Sequence, residues 1–389
     1  MRKICVVVGS RANYSSIKSA MESIKDHPSL ELQLILGASA LLDRYGLVAE
    51  DIKKDGFEPL AEVFMLIEGE NPTTMAKSAG VGLMELPTVF ERIKPDIVLT
   101  VGDRFETMST ALAAAYMNIP LAHTMGGEVS GTIDESIRHA VTKFSHIHFP
   151  SNEDARKRII KMGENKDFVF NVGCPRIDLV ADTLKENNSY EILKDNKAFF
   201  EKFQGVGGTF DLQEPFLLVS QHPVTTEFGN NRIQMEETLI ALDKIRMNTI
   251  LLWPNADAGS DEVSKSIRSF REKSDDNWLH AFINLPTEIY IHLMNTTSCL
   301  IGNSSSGIRE GAFIGTPVVN IGTRQAKRDR GTNVIDVDYD RDEIYDAINQ
   351  QIIKKRYDSS TIYGDGNAGR KIVEIIKDSN PEIQKCIEY

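Results

Sequence analysis

The stretch ICVVVGSRANYSSIKSAMESI, residues 4–24, sets the reading of the whole chain. Its first part, Ile4 to Val8, is a short apolar run without polar alternation, as expected of a strand buried on both faces of a parallel sheet. Gly9-Ser10-Arg11 interrupts it, and glycine permits a tight turn there. From Ser15 to Ile24 apolar residues recur every three or four positions, the period of a helix packed on one face. Strand, glycine turn and helix together open a βα unit.

The same alternation continues outward from this start. Further strands are expected at Leu32 to Leu36, Ile97 to Val101, 119–123, His146 to Phe149 and Phe168 to Val172, with helices such as Thr74 to Ile93 and Asp134 to Phe144 between them. Near GCPRIDLV, residues 173–180, the pattern pauses, and the charged, glycine-containing stretch up to Pro215 reads as a connection with surface helices. A second series follows, with strands at Phe216 to Val219, Ile250 to Trp253, Leu279 to Ile283, Leu300 to Gly302, Pro317 to Ile321 and Val334 to Val337. A chain of 389 residues suits two such domains. The expected fold class is therefore α/β, with two Rossmann-like halves facing a cleft and a boundary at 172/173.

Composition narrows the function. A net charge of −12 disfavours binding to nucleic acid, whose phosphates need a basic surface. No apolar run approaches the roughly 20 residues of a membrane span, and the N-terminal run is too short for a secretory signal. Cys5, Cys174, Cys299 and Cys386 form no CxxC pair, which argues against a zinc site and against a disulfide framework and fits a reducing cytoplasm. His146 and His148 alternate along a strand and would face opposite sides, so no shared metal is expected, and no cofactor is implied.

In open α/β sheets, ligands gather beyond the carboxyl ends of the strands. Arg11, just after the first strand, could reach a phosphate or simply lie on a solvated helix start. The run GNSSSGIRE, residues 302–310, follows a strand and opens a helix. The backbone N–H groups and hydroxyls of Ser304, Ser305, Ser306 and Gly307 there make a candidate anion site. Glu310 could accept both hydroxyls of a ribose. His222, in the polar strand exit SQHPVTT, residues 220–226, is a candidate proton donor or phosphate ligand, or a structural histidine. In the first half, Asp103, Glu128 and Asp134 follow strands of one sheet and could do acid and base work at a sugar carbon. Asp134 alone could instead be a helix cap.

These motifs together resemble the hydrolysing UDP-N-acetylglucosamine 2-epimerases that open sialic acid biosynthesis. The resemblance rests on GSRANYS (9–15), VGDRFET (101–107), GGEVSGTIDESIRHA (126–140), QHPVTT (221–226), PNADAGS (254–260), GNSSSGIRE (302–310), GTRQAKR (322–328) and YGDGNA (363–368). It implies the two-domain fold of the GT-B glycosyltransferases, with a C-terminal helix from near Asn367 crossing back, so that 366–389 joins 1–172 and 173–365 forms the second domain. It also implies that Arg11, His222, Ser304 and Ser305 hold a diphosphate, with Arg324 in the same site, that Glu310 takes the ribose, and that the loop near Leu285 faces the base. The implied reaction removes the C2 proton, expels UDP to leave a glycal, and hydrates it to N-acetylmannosamine. A homodimer or homotetramer is implied as well.

Where the family motif reads His-Ile-Glu-Gly-Gly, this chain has Met125 in place of the glutamate. Either Glu128 covers that role beside Asp103, Asp134 and His222, or the sugar differs. The second alternative points to a UDP- or GDP-linked 2,4-diacetamido sugar of legionaminic acid pathways. A GT-B glycosyltransferase would share the nucleotide site but would need an acceptor groove instead of acids at three strand exits.

Overall fold

In the computed structural model, which describes residues 1–389 apart from 44–47, 70–71, 131–132, 204, 255–258, 274–276, 284 and 389, the opening run is buried along its length. Ile4, Cys5, Val6 and Val8 are inaccessible to solvent. Most of PNADAGS and two residues of the 126–140 motif lie outside the described residues.

The chain divides into two compact units. One holds Met1–Val129, Ile133–Leu179 and Tyr363–Tyr389, and the other is built on Val180–Ile362. Residues 173–179 and 363–365, assigned above to the second domain, thus cluster with the first.

The sheet of the first unit comprises β1 (Arg2–Val8), β2 (Leu30–Gly37), β3 (Ala61–Val63), β4 (Ile97–Val101), β5 (Leu121–Thr124) and β6 (Ile147–Phe149). All neighbours are parallel, in the order β3-β2-β1-β4-β5-β6. This doubly wound order reverses direction between β1 and β4, the switch point where such folds bind ligands. Val6 pairs with Leu99. Gly9 and Gly102, three residues further along each strand, therefore leave the sheet at the same rim.

The second unit repeats the plan. Its strands are β7 (Val206–Gly207), β8 (Leu217–Ser220), β9 (Thr249–Leu252), β10 (Leu279–Phe282), β11 (Cys299–Gly302), β12 (Val318–Ile321) and β13 (Val334–Val337). The order is β13-β12-β11-β8-β9-β10-β7, with only β7 antiparallel. Apart from that added edge, the order matches the first sheet and reverses between β8 and β11. The registered pair Gly302 and Ser220 ends those two strands side by side. The six expected strands agree with β8 to β13 to within two residues at each end, while β7 lies in the stretch expected to be a connection with surface helices.

The helix Ala368–Ile376 starts at the expected place and belongs to the first unit. The Asp178 carboxylate accepts from the N–H groups of Ala368 (2.9 Å) and Gly369 (2.7 Å) and from the Ser19 hydroxyl (2.9 Å), satisfying the open donors of the first turn. A Cβ on Gly369 would lie 2.5 Å from the Ser19 backbone, so glycine allows this helix to pack directly on the helix Lys18–Asp26.

One expected strand is absent. Phe168 to Val172 forms a 3₁₀ turn over Lys166–Phe168, begun by the Asn165 side chain, and only Val169 makes a bridge, to His148. No helix among the described residues is long and apolar enough to cross a membrane.

Candidate functional site

In the first unit the site grows from the turn after β4. Gly102 adopts the left-handed φ of 75° that favours glycine. Its carbonyl accepts from His123 Nε2 at 2.7 Å, a ring that burial holds neutral by pushing its pKa down to about 4. Asp103 follows, and its carboxylate pairs with the Arg138 guanidinium. Arg138 is 1% exposed and donates a second bond to the Glu128 carbonyl at 2.8 Å. Burial works against its charge, but the carboxylates of Asp103, Glu128 and Asp134 outweigh that penalty and raise its pKa.

Three acids expected at strand exits are thus gathered around one buried cation that the sequence reading passed over. The signal was present, because Asp134 and Arg138 are four residues apart on the helix Asp134–Phe144 and share a face. Asp134 is the first helical residue, and the cap position is held by Ile133. Asp103 and Asp134 keep solvent access, whereas Glu128 is 3% exposed and accepts from the Ser151 hydroxyl at 2.8 Å. Met125, at the exit of β5, has a φ of 61°, and its N–H donates to the Phe149 carbonyl at 2.9 Å. Arg11 is half-buried and begins the short helix Arg11–Ser15, capped by Ser10.

In the second unit, Asn303 organises the switch point. Its side-chain amide accepts from the His222 N–H at 2.7 Å and donates to the His222 carbonyl at 2.8 Å, tying the exits of β8 and β11 together. The Asn303 carbonyl accepts from Arg324 (3.3 Å) and Gln325 (2.9 Å) on the loop after β12. Gly302 is obligatory, since a Cβ would lie 2.3 Å from the Ser220 carbonyl oxygen and its φ is 125°.

The helix expected after Asn303 is broken into Ser305–Ile308 and Glu310–Ile314, with Arg309 between them. A four-residue helix carries little dipole, so any anion here depends on hydroxyls, backbone N–H groups and Arg324. Ser304 and Ser305 are partly exposed, but Ser306 is buried and shares its hydroxyl with Ser304 (2.8 Å) and Tyr290 (2.7 Å). Gly307 is packed beneath Val318, where a Cβ would lie 2.9 Å from a methyl. Glu310 is 6% exposed with Arg309 close by, at 4.0 Å. His222 Nε2 lies 3.3 Å from the Ser220 hydroxyl. Tyr290 was not foreseen, because nothing in its local sequence marks it, and Asn303, though it stands in the GNSSSGIRE run, was given no role of its own.

Arg11 and Asp103 thus follow the two strands that flank the switch point of the first unit, and His222 and Ser304 those that flank the switch point of the second. The family model for UDP-N-acetylglucosamine 2-epimerase matches residues 22–377. The chain is 32% identical, over all of both chains, to the hydrolyzing UDP-N,N'-diacetylbacillosamine 2-epimerase of Legionella pneumophila. It is 29% identical to UDP-N-acetylglucosamine 2-epimerase of Neisseria meningitidis serogroup B, over 98% of this chain and 96% of that one. Its fold is similar to a crystal structure of UDP-GlcNAc 2-epimerase from Neisseria meningitidis bound to UDP-GlcNAc, with a TM-score of 0.81, 18% identity and coverage of 96% and 98%. On these grounds the chain belongs to the UDP-N-acetylglucosamine 2-epimerase family.

Proposed function

We propose that the chain is a hydrolysing 2-epimerase that converts UDP-N-acetylglucosamine and water to N-acetylmannosamine and UDP. The observation that carries this reading is the convergence of Asp103, Glu128 and Asp134 on buried Arg138, at the switch point of a doubly wound sheet, in a member of this family. Proton removal from the acetamido-bearing carbon needs a positioned carboxylate, and proton return on the opposite face needs a second group. Asp103 and Asp134, with their solvent access, fit those two tasks. Glu128, buried against Ser151, completes the charge field around Arg138.

A base takes the C2 proton, the C1–oxygen bond breaks, and its electrons leave with UDP. Water then adds across the resulting C1–C2 double bond, its oxygen at C1 and a proton at C2, which inverts C2. His222, Ser304, Ser305 and Arg324 hold the diphosphate, assisted by the Ser306–Gly307 backbone, while Glu310 accepts the ribose hydroxyls. His222 can also protonate the departing phosphate oxygen.

A second reading changes only the sugar. The name of the Legionella relative and the thioether of Met125 at the exit of β5 favour a UDP-linked 2,4-diacetamido-6-deoxy sugar, whose C4 acetamido group and C6 methyl suit a less polar wall. Product NMR on both UDP sugars decides. Turnover of UDP-N-acetylglucosamine at the higher kcat/KM supports the first reading, preference for the diacetamido sugar supports the second, and turnover of neither refutes both.

A further inference from the structure

A line of hydroxyls runs from the helix Thr287–Thr296 to the exit of β11. Tyr290 Oη lies 2.7 Å from Ser306 Oγ, and Ser306 Oγ lies 2.8 Å from Ser304 Oγ. Both separations are full O–H···O hydrogen bonds. The Ser304 oxygen also accepts from the Ser306 N–H, at a longer 3.4 Å.

The order of donors follows from simple bookkeeping. A hydroxyl has one proton and two lone pairs, and a phenol is the more acidic donor of a phenol–alcohol pair. Burial raises the Tyr290 pKa, with the Ser306, Ser220 and Ser304 hydroxyls pulling the other way, so the phenol keeps its proton at neutral pH. Either atom of each pair can donate by distance alone; with the more acidic phenol as donor in the 2.7 Å contact, Tyr290 donates to Ser306, and Ser306 donates to Ser304. The Ser304 oxygen is left with both lone pairs occupied, one by an O–H and one by an N–H. Its only remaining capacity is to donate, and Ser304 is partly exposed whereas Ser306 is buried. A chain of hydroxyls aligned head to tail also strengthens its terminal donor by polarisation.

We propose that Tyr290 is a positioning residue that acts through Ser306 to present the Ser304 proton outward, so that the site favours an anionic oxygen over a neutral group. The inference rests on the reading of Ser304 as a diphosphate ligand. It adds that affinity for the diphosphate, separately from the nucleoside, is set in part by a tyrosine that does not touch the ligand.

The test compares UDP with uridine, using calorimetry for the first and ligand-observed NMR for the second, on the full chain and on Tyr290→Phe. Losing one net hydrogen bond is expected to weaken UDP about three- to tenfold. Uridine affinity and melting temperature should stay at the parent values. Ser306→Ala, which cuts the middle of the chain, should reproduce the UDP loss, and the double variant should be no weaker than Ser306→Ala alone, because both changes break one relay. A Tyr290→Phe protein with unchanged UDP affinity, an equal loss for UDP and uridine, or additive losses in the double variant would overturn the relay while leaving the nucleotide site standing. A parent protein that binds no UDP would overturn the site and the relay together.

Discussion

Replacing Arg138 with methionine keeps the volume of the side chain and removes the charge around which the first unit's acids are arranged. The change removes the Arg138 ion pair of Asp103 and the Arg138 hydrogen bond to the Glu128 carbonyl. Removing one partner of a buried ion pair costs about 3–5 kcal/mol. The Asp103 side chain is 26% exposed, so water can replace part of the lost interaction, and about 2–3 kcal/mol is the better figure here. A domain of roughly 200 residues melts about 2–4 °C lower per kcal/mol, so the first unit of Arg138→Met should melt about 4–12 °C below the parent. The acidic limb of the kcat/KM profile should also move to higher pH, since carboxylates that lose a nearby cation hold their protons more tightly. Arg138→Lys keeps the charge but not the forked donor geometry, and it should fall between the two. Differential scanning calorimetry and a pH series on the three proteins supply the readings. A methionine variant that melts with the parent and keeps its pH profile would refute the idea that Arg138 organises the site.

Asp103→Asn retains the shape and removes the proton acceptor. Its turnover should drop by about a hundredfold to ten-thousandfold with UDP affinity near the parent value, read by single-turnover kinetics and calorimetry. Glu310→Gln should instead raise KM and UDP Kd while kcat changes little, because a ribose contact serves ground state and transition state alike; a collapse of kcat at constant KM would count against the ribose role. Acid stability has a defined sign. His123, pushed down to about 4 by burial, contributes stability that is present above pH 6.5 and lost as pH falls toward 4. Burial alone would raise the Glu164 pKa, but hydrogen bonds from His148, Lys143 and Lys385 bring it down to about 2, so its contribution is present above pH 4.5 and lost on approach to 2. Urea denaturation of the parent across pH 7 to 3 should show falling stability, and Glu164→Gln should flatten the part below pH 4.5.

Much of the architecture was legible in the sequence because parallel strands buried on both faces are continuous apolar runs, as in Ile4 to Val8 and Leu217 to Val219. The strands that escaped notice lack that signal. Ala61–Val63 has a glutamate between two small residues at a sheet edge, and Val206–Gly207 is two exposed residues that pair with β10 only through the tertiary fold. Phe168 to Val172 was misread because an apolar run at a sheet edge can end in a turn when a side chain such as Asn165 caps it. Candidate ligand residues were readable as polar strand exits. Their arrangement was not, since the pairing of Asp103 with Arg138 and of Asn303 with His222 joins positions 35 and 81 residues apart. The serines illustrate the remaining limit: three look alike in sequence, yet Ser306 is spent on Tyr290 and Ser304 inside the protein.

The claim that this chain epimerises and hydrolyses its sugar nucleotide through loss of the C2 proton is tested most directly by running the reaction with UDP-N-acetylglucosamine in deuterated water and following it by proton NMR. The account predicts one UDP released for each N-acetylmannosamine formed, with deuterium at C2 of that sugar. Protium retained at C2, or C2-inverted sugar still joined to UDP, would contradict it.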